Sequence, residues 1–371
     1  MDPLPLAQAL IRRASVTPAD DGAQAVLVEA LTALGFRVTP LRFGAIDNLI
    51  AHRPGHGARL AFAGHTDVVP SGPAAQWSAA PFAAELRDGR LIGRGAADMK
   101  GAIAAFVAAA ARSIAAGHDG ELLLVIAGDE EGDAEDGTVK LMPWLADHGL
   151  LPEAAITGEP TSAARVGDTI KIGRRGSTNM ALTVTGRQGH VAYPDRADNP
   201  ITALARIVTA LKADPLDFGV PGFDPSNLEV TGIEAGEGAN NVIPGTARAR
   251  INVRFNPSHS CASLEAHVRA IAARYAPAFT LSARCSGEAF VTEPGPLTDA
   301  LAAAAAEVTG SQPQLSTSGG TSDARFIRRW CPVAELGLVG ATMHQIDEHV
   351  PVADIEALTR IYEAFLRRWF A

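Results

Sequence analysis

Acidic and histidine side chains follow directly on the most apolar short runs of this chain. The segments AFAGHTD, LLLVIAGDEE and AAITGEP lead from strand-like runs into His65, into Glu130 and Glu131, and into Glu159. A later apolar stretch leads to ATMHQ and His344, and Asp98 sits inside the glycine-bracketed segment GRGAADMKG. Charged groups at the carboxyl ends of buried strands are costly to keep unless something binds them. The pattern therefore asks for strands that end at one place, and for a cation where they end.

The order of elements around these residues predicts the fold. Residues 59–64, 121–128 and 154–157 read as buried strands, and 100–116 and 138–148 as helices closed by Gly117 and Gly149. This β-α-β-α-β order predicts a mostly parallel sheet flanked by helices, an α/β fold. The texture changes near Arg175. Strand signals at 177–186, 228–233, 246–255 and 279–283 alternate with helical ones at 201–212 and 261–275. That is the β-α-β-β-α-β order of a compact ferredoxin-like α+β unit. After about Gly287 the first texture returns, with a helix at 297–309, a Gly/Ser/Thr loop at 316–322, a strand at 333–339 and a closing helix at 354–370. The reading is one discontinuous catalytic domain, 1–175 and 287–371, with a second domain, 176–286, inserted into it.

Composition narrows the function. A chain of 371 residues, 47% hydrophobic and only 20% charged, has enough apolar surface for two cores. A net charge of −9 argues against a nucleic-acid partner. The start, MDPLPLAQALIRRAS, lacks the basic and apolar regions of a signal peptide, and no apolar run is long enough to span a membrane. No membrane partner is expected, and a cytoplasmic location is. Cys261, Cys285 and Cys331 are odd in number, far apart and outside any CxxC pattern, so they read as buried free thiols in a reducing compartment.

Each candidate site residue has a plain reading beside the chemical one. His65 and Asp67 are two apart after a strand, so Asp67 is placed to hold the second ring nitrogen of a metal-bound His65; the alternative is a capped loop histidine. Asp98 is either a ligand in a tight turn or an N-cap for the next helix. Lys100 reads as pointing to solvent. Adjacent Glu130 and Glu131 repel each other, which suggests a nearby cation, while Asp129 reads as structural; the alternative is an acidic turn like the following Asp133, Glu135 and Asp136. His349 reads as a surface residue. Taken together, two metals with one histidine and two carboxylates each, one carboxylate shared, need five ligands. His65, Asp98, Glu131, Glu159 and His344 supply five, and Glu130 remains as a general base. Nitrogen and oxygen ligands without thiolate suit Zn²⁺, Co²⁺ or Mn²⁺.

The ordered motifs GHTDVVP, GRGAADMKG, DEEG, GEPT and the late His344 resemble the dizinc M20 metallopeptidases and amidohydrolases, over essentially the whole chain. The stretches FAGHTDVVPSG, the DGT after DEEG, IKIGRRGS, QGHVAYP, NNVIPG, SGGTSDARF and ATMHQIDE point to the branch that removes a succinyl group from an amine in diaminopimelate and lysine biosynthesis. The resemblance implies two zinc ions per subunit, with cobalt able to substitute. Asp98 would bridge them, His65 and Glu159 would complete one site, and Glu131 and His344 the other. Glu130 would be the acid/base, and Asp67 would orient His65. It further implies a cis peptide after Asp98 and a homodimer formed through the inserted domain. His190 would reach a neighbouring subunit's site. Arg174, Ser177, Asn240, Asn241, Arg254, Gly320 and Thr321 would line the pocket for a small substrate carrying several carboxylates. The chain departs from the pattern at Gly128, upstream of DEEG, and at the acidic Asp195 after QGHVAYP.

The chemistry so implied is metal-assisted amide hydrolysis. Rival readings are another deacylase of the family, such as one acting on acetylornithine, and a catalytically silent scaffold. No GxSxG elbow supports a serine hydrolase.

Overall fold

The computed structural model describes residues 1–236 and 238–371. They form two compact units, one of residues 1–172, 292–316 and 322–371, the other of 173–291 with 317–321. The second unit thus begins and ends a few residues outside the span expected for the insertion, because Gly173 and Arg174 pair with Val291 and Phe290. It also takes in the loop 317–321, where the Arg174 guanidinium donates to the Gly320 carbonyl at 3.1 Å.

The first unit is built on an eight-stranded mixed sheet. Its central strands, Gly120–Ala127, His56–His65, Ala154–Thr157 and Val333–Glu335, are parallel neighbours. Fully buried apolar runs of this kind suit a parallel sheet covered by helices. One edge is extended by an antiparallel hairpin, Arg37–Phe43 with Ile46–Arg53, and the other by Thr169–Lys171 and Gln314–Ser316. The alanine-rich helix Gly101–Ala115 is buried along nearly its whole length and packs on the closing helix Val352–Trp369. Small side chains let the helix approach closely, and one aromatic cluster fills the remaining space. Phe62 of the sheet stacks on Phe106 of the helix at 4.2 Å, and both meet Tyr362 edge-on. Among the described residues, no helix is long and apolar enough to cross a membrane.

The second unit carries a four-stranded antiparallel sheet in the order Asn227–Ala235, Thr246–Phe255, Gly176–Thr185, Phe279–Gly287. With helices Pro200–Leu211 and Cys261–Tyr275 the connectivity is ferredoxin-like. Strand Thr246–Phe255 alternates exposed and buried residues, so one face enters the core with Leu182, Leu204, Ile207 and Val268. Both helices begin on side-chain caps, Asn199 accepting from Ile201 N and Ser260 from Ser263 N.

Two of the cysteines depart from expectation. Cys261 and Cys285 form a disulfide, with Cα atoms 5.7 Å apart, and only Cys331 is free and buried. The bridge joins the start of a helix to the end of the strand after it. A separation of 24 residues carries no spacing signal in the sequence.

Asp217 organises the loop between helix Pro200–Leu211 and the strand that follows. Its carboxylate accepts from Gly219 N, Ser226 N and Asn256 Nδ2, and lies 3.0 Å from His259 Nε2. Burial alone raises its pKa, but these hydrogen bonds outweigh it and hold the group down at about 2. A carboxylate with a depressed folded pKa stabilises the fold above its ordinary value of 3.8 and loses that contribution as pH falls toward 2. Asp217→Ala should therefore cost about 2–4 kcal/mol at neutral pH. Chemical denaturation between pH 2 and 4 should show the variant lacking that part of the acid sensitivity.

Candidate metal centre

Register explains why distant residues meet. His65 is paired with Ala127, three residues before Glu130, and Ala63 with Thr157, two residues before Glu159. The carboxyl ends of three neighbouring parallel strands are thereby level, and the residues that follow them share one rim. Gly64 and Gly158 leave room beneath the rim for the buried side chain of Met99; a Cβ on either would lie 2.8 Å or less from its terminal methyl. Gly128, a departure from the family pattern, has a similar reason: a Cβ there would lie 2.3 Å from the Asp47 carbonyl.

Asp98 arrives from a separate three-stranded sheet, in the turn after Arg90–Ile92. The segment Ala96–Lys100 leaves helical geometry at Asp98 and Met99, and the Asp98–Met99 peptide is cis. The carboxylate caps no helix; it faces two imidazoles. Oδ1 lies 3.3 Å from His65 Nε2 and Oδ2 lies 3.3 Å from His344 Nε2. His65 Nε2 is also 3.8 Å from Glu159, and His344 Nε2 is 2.9 Å from Glu131. Ligand atoms of His65, Glu130 and Glu159 form one close group, and those of His65, Asp98 and Glu131 another.

Asp67 does more than expected, and differently. The nearest partner of His65 Nδ1 is the Asp67 main-chain oxygen at 2.9 Å, with the carboxylate farther off at 3.6 Å. The carboxylate instead accepts from Glu130 N and Glu131 N at 3.2 and 3.0 Å, fixing the paired glutamates on the rim. Asp129, read as structural, accepts from Asp136 N.

The electrostatics are those of crowded, buried carboxylates. Burial, then repulsion from Glu159, raises the Glu130 pKa well above its ordinary value. Burial pushes Asp67 up to about 6. Asp98 goes the other way, since the close imidazoles of His344 and His65 outweigh its burial penalty and lower it. His344, hydrogen-bonded to Asp98 and Glu131, is pushed up to about 10. Yet His65 Nε2 and Asp98 Oδ1 are both buried without a hydrogen bond of good geometry. Orphaned ligand atoms among clustered carboxylates and imidazoles fit a pair of divalent cations.

Several neighbours were missed or misread in the sequence. Lys100, expected in solvent, is fully buried, and its ammonium donates to Arg13 O at 2.8 Å and Ser15 Oγ at 2.7 Å. Ser15 in turn donates to Thr66 O, beside His65. Arg94 and Glu348 form a buried ion pair at 2.7 Å under the Asp98 turn. His349, expected at the surface, is half-buried, with Nδ1 2.7 Å from Asp347 O. No periodicity marks a lone charge in a turn, so only the packed structure reveals these groups.

The expected substrate residues all lie in the second unit, as does His190. Arg174 is buried and bonded to Gly320, next to Thr321. Ser177 stands opposite Arg254 in the sheet, where burial and the nearby Arg175 guanidinium lower the Arg254 pKa. His190 is exposed and pairs with Val242; Val191 N donates to Asn241 O, and Asn240 precedes it in the same exposed stretch. Asp195 is exposed in the turn after His190.

A helix-flanked α/β sheet with such a centre on its strand ends has the architecture of a metal-dependent hydrolase. The chain belongs to Peptidase family M20/M25/M40, whose model matches residues 61–368. It is 56% identical to the succinyl-diaminopimelate desuccinylase of Caulobacter vibrioides (strain NA1000 / CB15N), covering 100% of this chain and 97% of that one. Identity to the enzyme of the same name from Acidiphilium cryptum (strain JF-5) is 55%, covering 100% and 99%. Among solved structures, the M20 family metallo-carboxypeptidase Sso-CP2 from Sulfolobus solfataricus shares the fold with a TM-score of 0.81 at 18% identity, covering 100% of this chain and 99% of that one. The YXEP protein of Bacillus subtilis, described as a dinuclear metal-binding peptidase, does so at 0.73 and 18%, covering 99% and 96%.

His344 is pushed up to about 10 by Asp98 and Glu131, so a cation that binds its ring nitrogen must displace a proton. Affinity for Zn²⁺ or Co²⁺ should rise as pH climbs from 6.5 toward 10, the interval over which the His344 proton is retained. Calorimetry in buffers of different ionisation enthalpy should record proton release on binding.

Proposed function

We propose that this chain hydrolyses N-succinyl-LL-2,6-diaminopimelate to succinate and LL-2,6-diaminopimelate, as a dizinc, homodimeric enzyme of the cytoplasm. One observation carries the reading: a single buried carboxylate, Asp98, has each of its oxygens 3.3 Å from a different histidine, beside a glutamate of raised pKa. The substrate choice is supported by the full-length similarity to desuccinylases at 51–56% identity. The cytoplasm follows from that substrate, a biosynthetic intermediate.

In this reading His65, Asp98 and Glu159 hold one zinc, and Glu131, Asp98 and His344 the other; cobalt can replace zinc. Bound there, the cations lower the pKa of a water and polarise the amide carbonyl. Glu130 takes the proton of the attacking water and delivers it to the leaving amine nitrogen. Asp67 holds His65 through its main-chain oxygen and the two glutamates through its carboxylate. A dicarboxylate product and a succinyl carboxylate call for cationic and amide partners. Arg174, Arg254, Asn240 and Asn241, with Ser177, Gly320 and Thr321, are assigned to that task. The second unit is assigned to dimerisation, and its His190 to a neighbouring copy's site, where it donates to the oxyanion.

Zinc-loaded enzyme should release succinate from N-succinyl-LL-diaminopimelate and little acetate from N-acetylornithine. The reverse preference would keep the metal chemistry and sink the substrate. Glu130→Gln should keep both cations, measured by elemental analysis, while kcat falls by about 10²–10⁴-fold. Substantial activity in that variant would remove Glu130 from the proton transfer.

A further inference from the structure

Glu348 is wholly buried and faces Arg94, itself 2% exposed, with Nη1 2.7 Å from Oε2. Its carboxylate does more than pair with that guanidinium. Oε2 accepts Gly95 N at 3.1 Å, and Oε1 accepts Ala97 N at 2.9 Å and Asp98 N at 3.2 Å. Three main-chain donors of the turn that carries Asp98 thus converge on one side chain. The sheet brings Glu348 there. His349 pairs with Ile92 in an antiparallel ladder, so residue 348 falls opposite residue 93, and Gly93 N donates to Glu348 O at 2.9 Å.

The same pair reaches the other segments of the centre. Glu348 follows His344 by four residues, in a turn closed by Thr342 Oγ1 and the main chain of His349. Arg94 Nη2 donates to Pro70 O at 3.4 Å, in the loop that begins with His65, and its guanidinium lies over Trp77. One ion pair therefore ties together the turns of Asp98, His344 and His65. A buried ion pair is poor value for stability alone, since apolar residues of similar volume stabilise as well or better. Its geometry here is that of an anchor for a ligand turn.

We infer that Glu348, held by Arg94, is a positioning residue that fixes the Asp98 carboxylate midway between His65 and His344 and so sets the affinity of the metal pair. This rests on the reading that Asp98 and His344 hold cations. The test titrates Co²⁺ into full-length unaltered chain, Glu348→Gln and Asp98→Asn, by calorimetry and visible absorption, with circular dichroism and thermal melting alongside. Glu348→Gln should keep its secondary structure, bind at least one cation about 10–100-fold more weakly and change the cobalt spectrum. If Glu348→Gln binds both cations as the unaltered chain does, with only its melting temperature lowered, the role is structural and the inference is overturned. Should Asp98→Asn bind as the unaltered chain does, or the unaltered chain bind none, the metal reading itself has failed and this inference falls with it. Glu348→Gln strands the Arg94 charge, so Arg94→Met/Glu348→Gln is measured too; it leaves no buried charge unpaired and should show the same weakened binding. Failure of both variants to fold would assign the pair to the stability of the unit and overturn the inference.

Discussion

A carboxylate held between two imidazoles is the constraint on which the first unit depends. Asp98 is buried, and each of its oxygens faces a different ring nitrogen. Placing it there requires a turn off the main sheet, a second small sheet to present that turn, and glycines at the ends of two strands to let Met99 pass beneath. Around it stand Glu130, Glu131, Glu159 and Asp67, whose mutual repulsion is relieved by a retained proton or by a cation. Burial turns that need into chemistry: the groups that would repel one another in an empty protein are those that hold and activate around a cation.

The two kinds of sheet suit two kinds of work. Parallel strands with level carboxyl ends give a rim where residues far apart in the chain can meet at fixed spacing. The antiparallel sheet of the second unit has one face in its core and leaves the loops and ribbon around it free to carry arginines, amides and an exposed histidine. The shared fold extends to proteins of 14–19% identity described as a carboxypeptidase, an aminopeptidase and an aminohydrolase, so the scaffold alone does not choose a substrate. The chain's full-length similarity is to the desuccinylases, at 56% identity to that of Caulobacter vibrioides (strain NA1000 / CB15N).

Much of the site was legible because its residues sit at the ends of apolar runs. His65, Glu130, Glu131 and Glu159 could be placed on one rim once those runs were read as parallel strands. The ferredoxin-like order of the second unit was legible for the same reason, since alternation in 246–255 and helical spacing in 261–275 are strong local signals. The hairpin Arg37–Phe43 and Ile46–Arg53 escaped notice because its outer strand has no fully buried residue and carries a proline. Lys100 was misread because a lysine at the head of a helix has no local mark of burial; its partners lie about 85 residues away in sequence. The disulfide was misread because its cysteines meet only when a helix folds back beside a strand.

The sequence by itself determined the periodicities, and so the α/β and α+β units, and it named the residues able to bind a cation or move a proton. Those properties are local: they follow from which side chains alternate and which ionise. Tertiary structure decided which of them meet. Strand register levelled His65 with Ala127, antiparallel pairing set Glu348 under the Asp98 turn, and close packing left a lysine and an ion pair without water. The physical reason is that hydrogen-bond geometry and desolvation depend on distance in space, and separation along the chain carries no record of it.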